Sequence, residues 1–205
     1  MTEAHRLPRG RHDLSRAEVE EAQRLRILLG LAEAMADGGY VNTPVAAVLR
    51  HAGVSRETYY QLFADKLDGF LAAFDLAAGV IVADMAASVE GGGPPLARVD
   101  HALARYLESV ADHRSLARLF LVETFAAGAA AIERRAAVQR QIVDLLADEL
   151  DARSDAARFA CETVVAAVSS MIIVPLLADD RAGVLALGPA VSEHLHRLHD
   201  AGLFV

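Results

Sequence analysis

The sequence contains one cysteine, no tryptophan and a single lysine among its 20 basic residues. One thiol, that of Cys161, excludes an intramolecular disulfide framework and fits a reducing cytoplasm. Aromatic residues make up only 5% of the chain although 54% of it is hydrophobic, and alanine, leucine and valine dominate. This composition is expected of helices that pack closely together.

A membrane-spanning run and a secretory signal are also missing from the sequence. The longest uncharged run, Thr163 to Ala178, is shorter than the roughly 20 apolar residues that a spanning helix needs, and it contains Pro175. The N-terminus lacks the continuous apolar core of a signal peptide. We therefore expect a soluble, cytoplasmic protein in which this run forms a buried interface helix.

No alternating apolar and polar run is long enough to predict a strand, so the fold class is predicted to be all-α, with nine helices. The first helix is expected over Val19–Gly38, where apolar residues recur at helical spacing. A long fourth helix is expected at about 65–90, ending at the Gly91–Pro95 break. Five further helices are predicted at about 96–112, 115–127, 129–151, 155–177 and 188–200.

The second and third helices are predicted within Thr43–Lys66, which has the pattern of a helix-turn-helix. Thr43 is a favourable N-cap, and Pro44 fits the first helical position because its missing N–H is not needed there. Gly53 can adopt the positive φ that ends a helix, and Ser55 can cap the next one. The pattern predicts that this next helix enters a major groove of DNA.

The side chains of that helix suit the edges of bases. Arg56 can donate two hydrogen bonds to guanine, and Glu57 can accept one from cytosine. Thr58 and Tyr59 offer a methyl group and a ring to thymine, or hydroxyl groups to phosphates. The predicted DNA-binding residues are Thr43, Ser55, Arg56, Glu57, Thr58, Tyr59, Tyr60 and Lys66, of which Thr43, Tyr60 and Lys66 are assigned to phosphates. An alternative is that Tyr59 and Tyr60 seal a small three-helix core.

A wider set of residues resembles the TetR family of bacterial transcriptional regulators. The set comprises a first helix ending in Gly38-Gly39-Tyr40, the Ala52–Ser55 turn and the spacing Thr58-x-Tyr60-x-x-Phe63-x-x-Lys66. The continuation Gly69–Asp75 is similar to the fourth helix of an actinobacterial branch, and Arg118–Glu123 with Gly128 is more weakly similar to its sixth helix.

Three positions depart from the family's pattern. Leu49 replaces a small residue, Glu57 stands where glycine is commonest, and Leu67 replaces an acid. Glu57 has the largest consequence, because it bears on the operator sequence. It keeps open an alternative in which the helix-turn-helix domain at residues 17–66, which we call the head, no longer binds DNA. The chain would then be a helical small-molecule-binding protein or enzyme.

The resemblance implies a ligand-responsive regulator, most commonly a repressor, that binds a palindromic operator in double-stranded DNA as a homodimer. It implies a DNA-binding domain at 17–66 and a ligand-binding and dimerisation domain at 67–205. Residues 1–16 are expected to form a disordered basic arm that reaches DNA or remains a solvated tail; its basic residues are His5, Arg6, Arg9, Arg11, His12 and Arg16.

The resemblance also implies a four-helix dimer interface built from the last two long helices. The eighth helix is apolar on nearly every face, which favours burial against a second copy, although a buried helix of a monomer is an alternative. The residues expected at this interface are Val164, Val168, Ile172, Val191, Leu195 and Leu198.

A small-molecule pocket between helices four and eight is a further implication of the resemblance. The candidate lining residues are Phe74, Ile81, Met85, Tyr106, Phe120, Glu123, Phe125 and Met171. Glu123 is the polar candidate: a buried carboxylate there would need an arginine or a cationic or hydroxylated ligand group, whereas an exposed one would be a surface charge. The effector is expected to be mostly apolar.

The net charge of −8 does not oppose DNA binding, because the acidic surplus lies outside the predicted head. Residues 1–66 carry nine basic and nine acidic residues, whereas 67–205 carry 11 basic and 19 acidic ones. The sequence offers no nucleophile–base pair, phosphate loop or metal cluster, and His194, His196 and His199 are poorly spaced for one helix face. No enzymatic activity, cofactor or metal is therefore expected.

Overall fold

The computed structural model describes residues 15–89 and 92–204. Within these ranges the chain forms nine helices and no strand, which confirms the all-α prediction. Helix α6 has three consecutive segments and α8 has two. The helices are α1 (Arg16–Asn42), α2 (Val45–Ala52), α3 (Arg56–Leu62), α4 (Lys66–Val89), α5 (Pro95–Asp112), α6 (Arg114–Arg118, Leu119–Glu123 and Thr124–Ala127), α7 (Ala129–Glu149), α8 (Asp155–Met171 and Ile173–Leu177) and α9 (Arg181–Asp200). Residues 1–14 of the predicted basic arm lie outside the described residues, whereas Ser15 and Arg16 are described and form the cap and the first position of α1.

Helix α1 is longer than predicted at both ends. Its start is fixed by a capping box in which the Ser15 hydroxyl accepts from the Glu18 N–H and the Glu18 carboxylate accepts from the Ser15 N–H at 2.6 Å. These hydrogen bonds lower the pKa of Glu18. Near its other end the helix is kinked at Gly39, which has φ 71° and ψ 163°. The chain therefore regains one short helical stretch after the predicted end at Gly38.

Helix α9 begins at Arg181 rather than near Gly188. The Asp180 carboxylate caps it by accepting from the Gly183 N–H at 2.8 Å. Gly188 and Pro189 are ordinary signals of a helix boundary, yet they lie inside this helix. Local signals therefore placed the start too late, because an equally good cap lies earlier in the chain.

A single cluster of buried apolar side chains runs through the whole protein. It extends from Val48 and Tyr59 in the helix-turn-helix, through Phe70 and Phe74 on α4, to Leu195 on α9. Helix α4 packs against α1 and α5, so it connects the helix-turn-helix to the remaining helices. The division into domains at 66/67 stays a prediction.

Two helices are long and apolar enough to cross a membrane by length and composition alone. They are Lys66–Ser88, with a mean hydropathy of 1.8, and Asp155–Leu177, with 2.0. They are longer than the uncharged run Thr163–Ala178 because each includes a few charged residues. Both contribute buried residues to the helical core.

Candidate functional site

The turn between α2 and α3 has the geometry that the sequence predicts. Gly53 adopts the left-handed conformation, with φ 63° and ψ 37°, and its N–H donates to the Leu49 carbonyl at 3.0 Å. The Ser55 side chain accepts from the Thr58 N–H at 3.0 Å and caps α3. No other atom lies within 4 Å of a Cβ built on Gly53, so its backbone conformation is the reason for glycine here.

The position of α2 depends on a glycine that the sequence analysis overlooked. Gly30 lies in the middle of α1, where a Cβ would come within 2.6 Å of the Ala52 backbone nitrogen. The end of α2 therefore rests directly on the backbone of α1. The absence of a side chain at Gly30 permits this short distance between α1 and α2, which in turn fixes the positions of the turn and of α3.

One side of α3 is exposed and carries four polar side chains, which we call the reading face: Arg56, Glu57, Tyr60 and Gln61. The guanidinium of Arg56 lies 5.5 Å from the centre of the Tyr60 ring. The Gln61 amide donates to the Glu57 carboxylate at 3.4 Å. The face thus offers donors and acceptors one turn apart, as the edges of base pairs require. Gln61 was not among the predicted DNA contacts.

Tyr59 lies on the opposite side of α3 and is fully buried. Its ring packs against Tyr60 and Phe63, and its hydroxyl donates to the Asp65 carbonyl at 3.0 Å. Burial raises its pKa. The predicted contact between Tyr59 and DNA is therefore wrong, and the alternative in which this ring seals the three-helix core is correct for Tyr59.

Thr43 is also buried, and it ends α1 rather than capping α2. Its hydroxyl lies 2.7 Å from the Gly39 carbonyl and 3.1 Å from the Ala34 carbonyl, to which it donates. The N-cap of α2 is Pro44, one residue later than predicted. The predicted phosphate contact through the Thr43 hydroxyl is wrong, because the carbonyls of α1 already use that hydroxyl.

Lys66 has a structural role that the sequence analysis missed. Its ammonium group donates to the carbonyls of Tyr40 at 2.7 Å and Thr43 at 3.2 Å, and it lies 4.2 Å from the centre of the Tyr40 ring. Burial lowers the pKa of Lys66. A cation at these carbonyls stabilises the C-terminal end of α1. The contact of Lys66 with phosphate stays a prediction.

A cavity lies among α4, α5, α7, α8 and α9. It contains about 710 Å³ of space free of protein atoms, including solvent at its mouth. Its wall is apolar except at Tyr106, Ser169 and Glu149, and Glu149 is paired with Arg98. The residues lining it are Met85, Val99, Ala102, Leu103, Tyr106, Ile142, Leu145, Leu146, Glu149, Val164, Val165, Val168, Ser169, Val191 and Leu195.

A polar recess of about 250 Å³ adjoins this cavity. It shares Tyr106, Ile142 and Ser169 with the cavity and adds Phe120, Arg135 and Gln139. Burial raises the pKa of Tyr106 to about 12, against the opposing effects of Arg135 and of a hydrogen bond with Ser169. Burial lowers the pKa of Arg135, whose guanidinium donates to the Leu121 carbonyl at 2.6 Å.

Comparison with known proteins gives matches in structure but not in sequence. No family model matches the chain, and no curated protein matches it. A TetR-like regulator from Rhodococcus sp. RHA1 has a TM-score of 0.68 at 17% identity, covering 87% of this chain and 96% of that one. A TetR-family regulator from Agrobacterium tumefaciens has a TM-score of 0.70 at 17% identity, covering 85% and 98%. The chain has the TetR fold.

A third structure with this fold was solved with a ligand. FadR of Bacillus subtilis, in complex with stearoyl-CoA, has a TM-score of 0.70 at 17% identity and covers 82% of this chain and 95% of its own. The organisms of these TetR-like neighbours are diverse, so they do not single out an actinobacterial branch.

Three of the eight ligand-contact residues predicted from the TetR resemblance line the cavity or the recess. They are Met85, Tyr106 and Phe120. The other predicted residues that are apolar lie elsewhere: Ile81 and Phe74 are buried in the core, where Phe74 packs 5.0 Å from Phe120, while Phe125 and Met171 are exposed. The helical spacing of apolar residues shows which side of a helix is buried, but it does not show which other helix that side contacts.

Glu123 is the fifth predicted ligand contact that lies elsewhere. Its buried carboxylate accepts the Tyr40 N–H at 2.7 Å, directly after the Gly39 kink of α1. Arg118 lies 3.9 Å away and supplies the arginine that a buried carboxylate was expected to need. Glu123 ends the π-helical segment Leu119–Glu123 of α6, a conformation often found at functional sites. It therefore joins α6 to the TetR-type head instead of facing a ligand.

The residues predicted at the dimer interface point largely into the protomer. Leu198 is half-buried, and the other five, Val164, Val168, Ile172, Val191 and Leu195, are buried within the chain. The outer face of α8 carries different apolar residues: Phe159, Met171, Val174 and Leu177, of which Val174 is 74% exposed. The predicted residues therefore lie mainly on the inward face of these helices, and the dimer interface itself stays a prediction.

The other residues considered as possible sites were the histidines of α9 and Cys161. His196 lies 2.9 Å from the Asp100 carboxylate, which also accepts from the Ser192 hydroxyl at 2.6 Å. His194 borders a groove between α8 and α9. Cys161 is buried and burial raises its pKa, which makes the thiol unreactive. Among residues 15–89 and 92–204, no group of three or more metal-binding side chains occurs.

Proposed function

We propose that this protein is a cytoplasmic, ligand-responsive transcriptional regulator, most simply a repressor, that binds a palindromic operator as a homodimer. The proposal is supported by the presence of two features in one chain with the TetR fold. These are the exposed reading face on α3 and an apolar cavity among the remaining helices, which α4 connects to the helix-turn-helix. A ligand that favours one arrangement of these helices then shifts the population of DNA-binding molecules.

The reading face supports direct readout of bases. Arg56 stands at the first position of α3, where N-terminal residues of a recognition helix reach base edges. Its guanidinium has no carboxylate partner among the described residues, so its donors are available to guanine. Glu57 and Gln61 lie on the same exposed side and can contact neighbouring bases.

Replacing Arg56 with alanine should weaken operator binding by about 10- to 100-fold and relax the preference at one base position of each half-site. The measurement is a titration of labelled operator and its single-base variants. Arg140→Ala is the matched control, because Arg140 is an exposed arginine on α7, away from the reading face. Equal losses in both variants, or a uniform loss across all base variants, would contradict direct readout by Arg56.

A second copy of this chain is the proposed occupant of the exposed apolar face of α8 and α9. This face includes Phe159, Met171, Val174 and Leu177, and it is continuous with a groove lined by Leu187, Ala190 and Leu198. These four side chains are 43% to 74% exposed on one chain, and together they form an apolar surface that a partner would cover. A symmetric pair would place two heads on one operator.

Val174→Asp should convert the dimer into a monomer, since it places a charge within a contact that is proposed to consist of apolar side chains. Light scattering during size-exclusion chromatography measures the mass directly. Ile132→Asp is the control: Ile132 is also an exposed apolar residue, at 42%, but it belongs to α7 rather than to α8 or α9. A Val174→Asp protein that keeps the dimer mass would place the interface elsewhere.

The cavity supports a mostly apolar effector. Its lining is aliphatic over most of the wall, as in sites that bind apolar small molecules. A chain with the same fold, FadR of Bacillus subtilis, was solved with stearoyl-CoA, a ligand with a long acyl chain. We therefore place the effector in this cavity with its apolar part against Leu103, Leu146 and Val168.

The contacts around α6 provide a route from the cavity to the head. Phe120 lines the recess and packs on Phe74 of α4, while Glu123, three residues later, holds the Tyr40 N–H. Tyr40 in turn accepts from Lys66 at the start of α4. A displacement of α6 by a ligand would therefore act on the ends of both α1 and α4, which carry the helix-turn-helix.

A further inference from the structure

We infer that the effector is an amphipathic carboxylate whose apolar body fills the cavity and whose anionic group binds Arg135 and Gln139 in the recess. This inference rests on the proposed effector-binding function and specifies its ligand class. The recess and the cavity share Tyr106, Ile142 and Ser169 as lining residues, so an elongated molecule that reaches this boundary from the cavity would bring its anionic end close to Arg135.

Arg135 is the main reason for assigning an anion. It is half-buried, and no carboxylate of the described residues forms an ion pair with it. Its Nη1 donates to the carbonyls of Leu121 at 2.6 Å and Phe120 at 3.4 Å, and its guanidinium packs 5.0 Å from the centre of the Phe125 ring. Carbonyls stabilise this buried cation but do not neutralise it, and a bound carboxylate would.

The neighbouring side chains complete a set of donors. The Gln139 amide forms no hydrogen bond with another of the described residues, so both of its N–H groups are available to a ligand. The hydroxyl groups of Tyr106 and Ser169 lie at the junction of recess and cavity. Tyr106 is protonated at neutral pH, as any tyrosine is unless its pKa is strongly lowered, so it adds no negative charge against an anion.

The charges at the two ends of the space fix the direction of the ligand. Glu149 lines the cavity but not the recess, and Arg98 already donates to it at 2.7 Å. A carboxylate placed beside Glu149 would meet a like charge whose partner is taken. An anion is therefore favoured only at Arg135, with the apolar body extending toward Met85 and Leu195.

The same contact suggests how the ligand is sensed. Arg135 holds the carbonyls of the π-helical segment that ends at Glu123, and Glu123 holds the kink of α1. The two carbonyls use only Nη1 of the guanidinium, so a carboxylate that binds its other N–H groups would draw the side chain toward the recess and away from those carbonyls. Binding would thereby loosen the segment that connects α6 to the head.

The test compares dodecanoic acid with 1-dodecanol and methyl dodecanoate, each below its micelle concentration, by calorimetry and thermal unfolding of the full chain. We expect the acid to bind at least 10-fold more tightly than the alcohol. Arg135→Gln should abolish that preference while retaining the affinity for the alcohol, and Arg135→Lys should keep most of it. Arg140→Gln, an exposed change on the same helix, should behave as the unmodified protein.

A second readout follows the carboxyl group itself. With ¹³C at the carboxyl carbon, the pKa of the bound acid should be lowered in the unmodified protein and not in Arg135→Gln. An acid preference that survives Arg135→Gln would overturn the inference and leave the effector proposal standing, as would tighter binding of the alcohol or ester. If none of the three compounds binds, the inference fails together with the apolar effector of the proposed function.

Discussion

Replacing Gly30 with alanine is expected to unfold or displace the helix-turn-helix, because the added Cβ has no room. It would lie 2.6 Å from the backbone nitrogen of Ala52 and 2.9 Å from its Cα. Both obstructing atoms belong to the backbone, so no side-chain rotation relieves the overlap. Overpacking of this kind costs about 3 kcal/mol, which corresponds to a fall in Tm of about 10 °C for a chain of this size.

Gly79→Ala is the matched control for Gly30→Ala. Gly79 also lies inside a helix, α4, but it is exposed and nothing lies within 4 Å of an added Cβ. Alanine there should stabilise the protein by up to about 1 kcal/mol through helix propensity. Thermal unfolding and operator binding should be measured for both variants. Similar stabilities would mean that α1 and α2 do not approach as closely as described.

Glu123→Ala is expected to have the second large effect, because it removes a buried carboxylate that has two half-buried partners. The Tyr40 N–H loses its acceptor at 2.7 Å, and Arg118 loses the carboxylate 3.9 Å away. Breaking a buried charged contact in this way costs about 3 kcal/mol. Chemical denaturation measures the loss, and Glu133→Ala, an exposed acid on α7, serves as the control with no expected change.

Glu123→Gln separates the structural role of this residue from its role in signalling. The amide oxygen can still accept from Tyr40, so most of the stability should return, whereas the attraction to Arg118 is removed. If Glu123 couples α6 to the head, operator binding without effector should persist in this variant and release by effector should require more ligand. Unchanged release in a variant with measurably altered stability would restrict Glu123 to a structural role.

Features set by local chemistry were predictable from the sequence. The turn at Gly53 and the cap at Ser55 depend on residues within one or two turns of each other, and both have the predicted geometry. The start of α8 follows likewise from Ser154, whose side chain caps the helix that begins at Asp155. The exposed place of Arg56 and Glu57 follows from their position at the start of a short helix.

Features set by packing were not predictable in the same way. Thr43 and Tyr59 have the chemistry of DNA contacts, but their hydroxyl groups are used by carbonyls of the head itself. The cavity is formed by five helices, and no local signal distinguishes its residues from other core positions. Arg135 and Glu123 acquire their roles from partners distant in sequence, such as Tyr106 and Tyr40.

The most direct test of the proposed function is the selection of DNA from a random pool by the purified full chain. The account predicts enrichment of an inverted repeat with half-sites about one helical turn or slightly more apart, bound by two copies of the chain. Addition of the effector should then release that duplex. No enrichment above background, under conditions in which the protein is folded and dimeric, would contradict the account and leave a ligand-binding protein without a DNA-binding function.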